Sequence, residues 1–420
     1  LEKIVIIGNG IAGITCARHI RKRSNAEIIV ISSESKYFFS RTALMYVYMG
    51  HMTFKHTQPY ENWFWDKNKI QLKQAYVSAI DTDEHSITLR SGESIKYYKL
   101  VLALGSKSRK MDLPNIQLKG IQALYSRQDL ELMEENTRDV TNAVVVGGGL
   151  IGIEMAEMLH SKGIHTTLVV RESSYWNMVL PQEESAMVNE HIRSRNIDLC
   201  LDTTLTAIEG TDRVQTIRLN NGDMVDCGFL GITVGVQPNV ELVSTGPIET
   251  NKGILVDRYL KTSANDVYAI GDCAELRQPA LHRRSVEAVW YTGRMMGETV
   301  AKTLTGEPTN YDPGIWFNSA KFVDLEYQTY GYVPTRPEDG IDSYFWRDDE
   351  HERCLRMTFN TKNGALVGVN SLGLRLKHEV CDQWIKDKKP LREVISHVAE
   401  LNFDPEFHIP IKLNLEEQFV

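Results

Sequence analysis

Cysteine is scarce in this chain and, where present, isolated. The 420 residues hold six, Cys16, Cys200, Cys227, Cys273, Cys354 and Cys381, and no two lie closer than 27 positions. That spacing excludes a local C-x-x-C redox pair, a zinc ribbon and a local iron–sulfur run. Low cysteine density at this length also argues against a disulfide scaffold, and scattered thiols suit a reducing, cytoplasmic setting. The twelve histidines form no ligand pattern such as H-E-x-x-H, so no metal is expected. Apolar runs are short of the ~18 residues that span a bilayer, and no membrane association is expected. An excess of cations is missing too. Lys plus Arg is 47 against 55 for Asp plus Glu, a formal net charge of −8. Such a balance is poorly suited to gripping nucleic-acid phosphates. No signal-peptide pattern is found, although the sequence opens on Leu1 and so leaves the native start open.

What is present points to a multidomain α/β protein. At roughly 150 residues per domain, the chain is long enough for about three. It opens with the strand-like run Lys3-Ile4-Val5-Ile6-Ile7. Gly8-Asn9-Gly10-Ile11-Ala12-Gly13 follows, then a helical stretch to about Arg23 and a strand at Ile28–Ile31. The pattern returns 139 residues later as Ala143–Val146, Gly147-Gly148-Gly149-Leu150-Ile151-Gly152, a helix to about Lys162, and Thr166–Val170. Each copy is a βαβ unit of the dinucleotide-binding kind. Gly8 permits the tight turn, Gly10 lets the backbone approach a pyrophosphate, and Gly13 lets helix and strand pack closely. The helix N-terminus then offers free N–H groups to the anion. Gly147, Gly149 and Gly152 repeat these roles. Glu34 lies 26 residues beyond Gly8, just past the second strand, where a carboxylate can accept from an adenosine ribose; Ser33 is a rival for that place. Two such sites imply hydride transfer between dinucleotides if both face a common cleft.

Between the turns, residues 71–104 read as short alternating strands, and 197–236 repeat that character with Asn221-Gly222 as a hairpin turn. After residue 310 the chain grows richer in aromatics. Tyr344–Phe359 and Ala365–Leu372 read as antiparallel strands, and Leu391–Leu401 as a helix.

A third motif carries a family resemblance. Thr262-Ser263-Ala264-Asn265-Asp266-Val267-Tyr268-Ala269-Ile270-Gly271-Asp272 fits T-x4-V-[YF]-A-x-G-D, and resembles FAD-containing pyridine-nucleotide oxidoreductases. Leu100-Val101-Leu102-Ala103-Leu104-Gly105 is similar to that family's "ATG" strand, with Leu104 where Thr is usual. Gly235-Val236-Gln237-Pro238-Asn239 is similar to its G-x-x-P-N connection. Five motifs fall in the family order over residues 1 to about 330. The resemblance implies a glutathione-reductase-like architecture: two Rossmann-like domains and a C-terminal α+β domain. The implied FAD domain is formed by 1–110 and 240–310, the NAD(P) domain by 111–239, and a C-terminal domain by 311–420, often a homodimer interface in such proteins. The implied cofactors are FAD and NAD(P)H. Asp272 would hydrogen-bond the flavin ribitol, and Val77, Gly105 and Gly235 join the cofactor-binding set. In resembling families an acid after the second strand of the NAD(P) turn favours NADH and an arginine favours NADPH. This chain has both, Arg171 and Glu172, and the choice stays open.

The missing thiols select the branch. Disulfide reductases of the family carry paired cysteines near the flavin, and peroxide or CoA-disulfide reductases carry one. Here that region reads Phe38-Phe39-Ser40-Arg41-Thr42-Ala43-Leu44, with Arg41 in the place of the cysteine. The segment resembles S-[KR]-P-x-L of rubredoxin reductases, ferredoxin reductases and the N-terminal part of NADH-dependent nitrite reductases. A fixed cation there can stabilise an anionic reduced flavin. A surface salt bridge is the plainer alternative for Arg41. Glu154 matches a family carboxylate near the nicotinamide, and could pair with Arg41 instead. Arg283 to Glu298 resembles a helix of apoptosis-inducing factor and bacterial ferredoxin reductases. Trp316-Phe317-Asn318-Ser319 is similar to their F-W-S motif, which makes Phe317 a candidate flavin contact, with core packing as its alternative. Cys16 and Cys273 read as packing residues. The basic run Gly373–Glu379 is either a docking patch or a helix surface. Trp63-Phe64-Trp65 and Glu416-Glu417 have no assigned role.

The implied enzyme is an NAD(P)H-dependent flavoprotein reductase passing electrons to a small redox protein of rubredoxin, ferredoxin or Rieske type. The rivals are an NADH oxidase or nitrite-reductase-like component acting on a small molecule, and an NADH-sensing interaction protein resembling apoptosis-inducing factor.

Overall fold

A computed structural model describes residues 2–404, 406, 409–411 and 413; Glu416 and Glu417 lie outside the described residues. The chain divides into two compact units. The first takes residues 1–110, 123–135 and 235–313, and the second 111–122, 136–234 and 314–420.

The first unit is built on a five-stranded parallel sheet. Its order is Val267–Ala269, Lys99–Leu102, Lys3–Ile7, Glu27–Ser32 and Ile70–Gln74. Strands covered on both faces read as continuous apolar runs rather than as alternation, and Ile4 to Ile7 are all buried. Helix Ile11–Arg23 follows the first strand and packs on helix Trp290–Leu304. The crossing is close because Gly297 faces Ala12, where an added Cβ would lie 2.5 Å from the Ala12 carbonyl oxygen. The spacing of Arg283 and Glu287 suits a helix, yet helical structure starts only at Trp290. The two side chains close an irregular loop by a buried bidentate pair instead, with both N–O distances 2.6 Å.

The second unit holds a parallel sheet ordered Asp198–Cys200, His165–Val169, Asn142–Val146, Phe229–Ile232 and Ile121–Gln122. Helix Leu150–Ser161 follows its central strand, and helix Gln182–Ser194 precedes Asp198–Cys200. Strands Leu205–Gly210, Val214–Leu219 and Met224–Asp226 form an antiparallel ribbon, with Gly222 at φ +93° in the expected turn. The same unit contains an antiparallel sheet ordered Phe317–Phe322, Leu325–Gly331, Leu366–Leu372, Arg353–Asn360 and Ile341–Asp348. The stretch expected as one strand over Tyr344–Phe359 is thus a hairpin. Helices His378–Lys386 and Leu391–Ser396 cover this sheet. The last helix is shorter than expected: the chain turns at His397, φ −113°, into a 3-10 turn, Val398–Leu401. Among the described residues no helix is long and apolar enough to cross a membrane, and no cluster of His, Cys, Asp and Glu could hold a metal.

Candidate functional site

The first unit gathers most of the expected FAD residues. Gly8 has φ +112°, and a Cβ there would fall 2.0 Å from the Ala103 carbonyl oxygen. A Cβ on Gly13 would fall 2.1 Å from the Gly8 oxygen. Gly10 is different: nothing lies within 4 Å of its Cβ position, so the backbone there faces open space. Helix Ile11–Arg23 has no side-chain cap and no acid in its first turn. Its N–H groups are therefore left for an external anion. This cradle fits a pyrophosphate. Asn9, inside the turn, is buried and donates to the Ser35 carbonyl at 2.8 Å, tying the turn to the loop after the second strand.

Glu34 and Arg41 are brought together. Arg41 Nη1 and Nη2 donate to the two Glu34 oxygens at 2.9 and 2.6 Å, and the Arg127 N–H adds a third bond at 2.9 Å. Arg41 Nη1 also donates to the Tyr125 carbonyl, and its guanidinium lies 4.5 Å from the Tyr125 ring centroid. The carboxylate raises the Arg41 pKa against the opposing effect of burial. Arg41 closes on Glu34, and its charge is balanced there. The plainer alternative of a surface salt bridge captures the pairing but not the setting, since Arg41 is partly buried between two aromatic rings, Phe39 and Tyr125.

Asp272 accepts from Ser106 Oγ at 3.0 Å, and burial pushes its carboxyl pKa up. Gly105, φ +68°, precedes Ser106, whose N–H donates to the Tyr125 hydroxyl at 3.0 Å. Tyr125 thus bridges the Glu34–Arg41 pair and the Gly105–Asp272 group. Gly235, φ +103°, accepts from the Arg109 N–H at 2.9 Å and opens the short strand that pairs with Ser106–Ser108. Val77 heads an edge strand, paired with Leu89, with its side chain in the core. Tyr125 belongs to none of the sequence motifs, so nothing local to it signals this role. Its segment, 123–135, sits in the first unit although it interrupts the chain of the second.

The second unit repeats the cradle. A Cβ on Gly147, φ +135°, would lie 2.3 Å from the Thr233 oxygen, and one on Gly152 would lie 2.4 Å from the Gly147 oxygen. Gly149 faces open space, and helix Leu150–Ser161 has neither a side-chain cap nor an acid in its first turn. Glu172 Oε2 lies 3.4 Å from the Cβ position of Gly148, which sets the carboxylate against the turn. Arg171 is solvent-exposed and folds back on Glu172, with Nη2 2.8 Å from Oε1. Glu154 lies one turn into the helix and is mostly buried. Burial, with the nearby Glu157 carboxylate, pushes its pKa up to about 7, while Lys321 opposes the shift. Phe317 also falls in this unit, edge-on to His378 with ring centroids 4.5 Å apart.

All six cysteines are free. Cys200 is half-exposed and the rest are buried. Burial raises every thiol pKa, that of Cys273 to about 12. In the basic run, Arg375 forms a bidentate pair with Glu326, which removes it as a free cation. Trp63 is exposed, whereas Phe64 and Trp65 pack with Tyr60 in an aromatic cluster.

Comparison with known proteins agrees with this geometry. Residues 2–297 match the pyridine nucleotide-disulphide oxidoreductase family. The chain is 30% identical over 373 residues to the 5,5'-dehydrodivanillate O-demethylase ferredoxin reductase subunit of Sphingobium sp., covering 87% of this chain and 89% of that one. It is 26% identical over 311 residues to the assimilatory nitrate reductase electron transfer subunit of Bacillus subtilis, covering 73% of this chain but only 39% of that protein. Among solved structures, the ferredoxin reductase of the CYP199A2 system from Rhodopseudomonas palustris superposes with a TM-score of 0.81 at 26% identity, covering 89% of this chain and 91% of that one. With two glycine cradles that fit FAD and NAD(P)H, and no close cysteine pair, the chain belongs to the pyridine nucleotide-disulphide oxidoreductase family as an NAD(P)H-dependent flavoprotein enzyme.

Proposed function

We propose that the protein takes hydride from NADH and delivers electrons from FAD to a small redox protein of the rubredoxin or ferredoxin type. The observation that carries this reading is the state of the thiols. With every cysteine held protonated and none paired, no thiol relay can take electrons from the flavin, so they leave it directly. The names of the relatives support the same acceptor class. When bound, the coenzyme supplies a hydride, and the flavin accepts it and can release electrons singly.

The chain's own residues bind and orient. Gly8, Gly10 and Gly13 present helix N–H groups to the FAD pyrophosphate. Asp272 accepts from the ribitol hydroxyls. Arg41 holds Glu34 in place, leaving a lone pair on its carboxylate for a ribose hydroxyl. In the second unit Gly147, Gly149 and Gly152 present N–H groups to the coenzyme pyrophosphate. Glu172, set against that turn, accepts from a ribose 2′-hydroxyl and disfavours a 2′-phosphate, which is the basis for choosing NADH. Arg171 is occupied by Glu172. Glu154, with its pKa raised to about 7, can take up or release a proton near neutral pH. A flavin contact at Phe317, a homodimer through the C-terminal sheet and a cytoplasmic location belong to the same proposal.

Anaerobic mixing tests it. The flavin absorbance should bleach faster with NADH than with NADPH, and return on adding a rubredoxin or ferredoxin from a panel. Reoxidation by oxygen or nitrite alone, with no carrier effective, would favour a small-molecule reductase instead. Slow reoxidation by everything tried would favour a sensor.

A further inference from the structure

The turn after strand His165–Val169 is tightly built. Trp176 takes a left-handed backbone, φ +58°, which is unfavourable for a bulky residue. Hydrogen bonds hold it there. The Tyr175 N–H donates to Asn189 Oδ1 at 2.9 Å, and Ser185 Oγ donates to the Tyr175 carbonyl at 2.7 Å. Asn189 Nδ2 donates to Ser174 Oγ at 2.7 Å. The outcome is a fully buried Tyr175 side chain whose hydroxyl donates to the Gly149 carbonyl at 2.6 Å. The hydroxyl thus meets the start of helix Leu150–Ser161, and the Gly149 oxygen is shared with the Ile153 N–H, which reaches it at 3.3 Å.

The Gly149 carbonyl and the Leu150 N–H belong to one planar trans peptide and point in opposite directions. Fixing the oxygen therefore fixes the aim of the N–H. Leu150 is the first helical residue, so its N–H has no acceptor within the helix. We propose that Tyr175 is a positioning residue for the nicotinamide coenzyme: its hydroxyl locks the Gly149–Leu150 peptide so that the Leu150 N–H is aimed at the pyrophosphate. This rests on the reading that the second glycine turn holds the coenzyme.

Calorimetric titration of the FAD-loaded protein with NAD+, which cannot reduce the flavin, tests it alongside steady-state kinetics with NADH. Tyr175→Phe removes only the hydroxyl. The NAD+ Kd and the NADH KM should each rise about tenfold, with the loss falling on KM rather than on kcat and with flavin content kept. Leu150→Pro removes the N–H itself. Proline suits the first helical position, and Gly149, at φ −107° and ψ 178°, suits a residue before proline. That variant should also bind NAD+ about tenfold more weakly, and adding Tyr175→Phe to it should weaken binding by less than about threefold further. Losses that multiply in full overturn the proposal. So does an unchanged Kd in Tyr175→Phe, even if its melting temperature falls, since the hydroxyl would then serve the fold alone. If Tyr175→Phe does not fold, Asn189→Ala, which frees the Tyr175 main chain, must raise the Kd; an unchanged value there is equally fatal. Wild-type protein that binds neither NAD+ nor NADP+ would remove the underlying reading, and the proposal with it.

Discussion

Burial governs the thiols and Glu154 of this chain more than charge does. Each of the six thiols is shifted upward with burial as the leading cause, so a thiol reagent should label at most one, Cys200, in the native protein and all six after unfolding. Rapid native labelling of a second cysteine would contradict the non-thiol route for electrons. Glu154 is shifted the same way, from 4.5 up to about 7. The folded state then holds its proton more tightly than the unfolded chain, and its contribution to stability falls as pH rises from about 4.5 to about 7 and is flat above. Urea midpoints measured across that range should diverge between wild type and Glu154→Gln, with the variant losing less as pH rises; parallel curves would show the shift is absent. The sequence exposes these residues but not their partners. Arg41 could be read as a cation beside the flavin because its neighbours in sequence carry that pattern. Its partner Tyr125 lies 84 positions further on, and Arg127, which donates to Glu34, lies 93 positions beyond that carboxylate, distances no local motif encodes.

The two strand–turn–helix elements are fully legible, because Gly8, Gly13, Gly147 and Gly152 each answer a local steric demand. Gly13 and Gly152 offer a separation of the two cofactors. An added methyl would stand 2.1 Å from the Gly8 oxygen in one case and 2.4 Å from the Gly147 oxygen in the other, too close for either backbone to keep its path. Gly13→Ala should purify with little or no flavin absorbance. Gly152→Ala should keep its flavin yet be reduced by NADH about 10- to 100-fold more slowly at fixed coenzyme, the equivalent of an overpacking cost of about 1–3 kcal/mol. Equal flavin loss in both would deny the separate roles. Where side-chain bonding overrides backbone propensity, element boundaries misread. Arg283 and Glu287 stand four apart as helical partners do, but their carboxylate–guanidinium fork fastens a loop. The sequence likewise cannot show that Tyr175 reaches into the turn, since the distance from Gly149 to Tyr175 spans a strand and a helix.

On the scale of the molecule, the division into units follows contacts rather than chain order. The C-terminal sheet shares a unit with the second glycine turn, and one buried bond pattern shows how it is held. Arg356, from strand Arg353–Asn360, donates to both oxygens of the fully buried Glu184 on helix Gln182–Ser194, at 2.7 and 3.0 Å, and to Ser343 Oγ at 2.7 Å. Removing one partner strands the other charge, a cost of about 3–5 kcal/mol. Arg356→Met should lower the stability of this unit by that order in urea, and the double replacement Arg356→Met with Glu184→Leu should recover most of it. A double variant as unstable as the single one would mean the pair is needed for more than charge balance. The first unit has its own consequence. Its sheet closes only when Val267–Ala269 docks beside Lys99–Leu102, whereas the parallel sheet of the second glycine turn has all its strands by Ile232. During synthesis the turn that emerges first from the ribosome must therefore wait longest for its neighbours. A cofactor cradled by the first glycine turn could be captured only after strand Val267–Ala269 has been made.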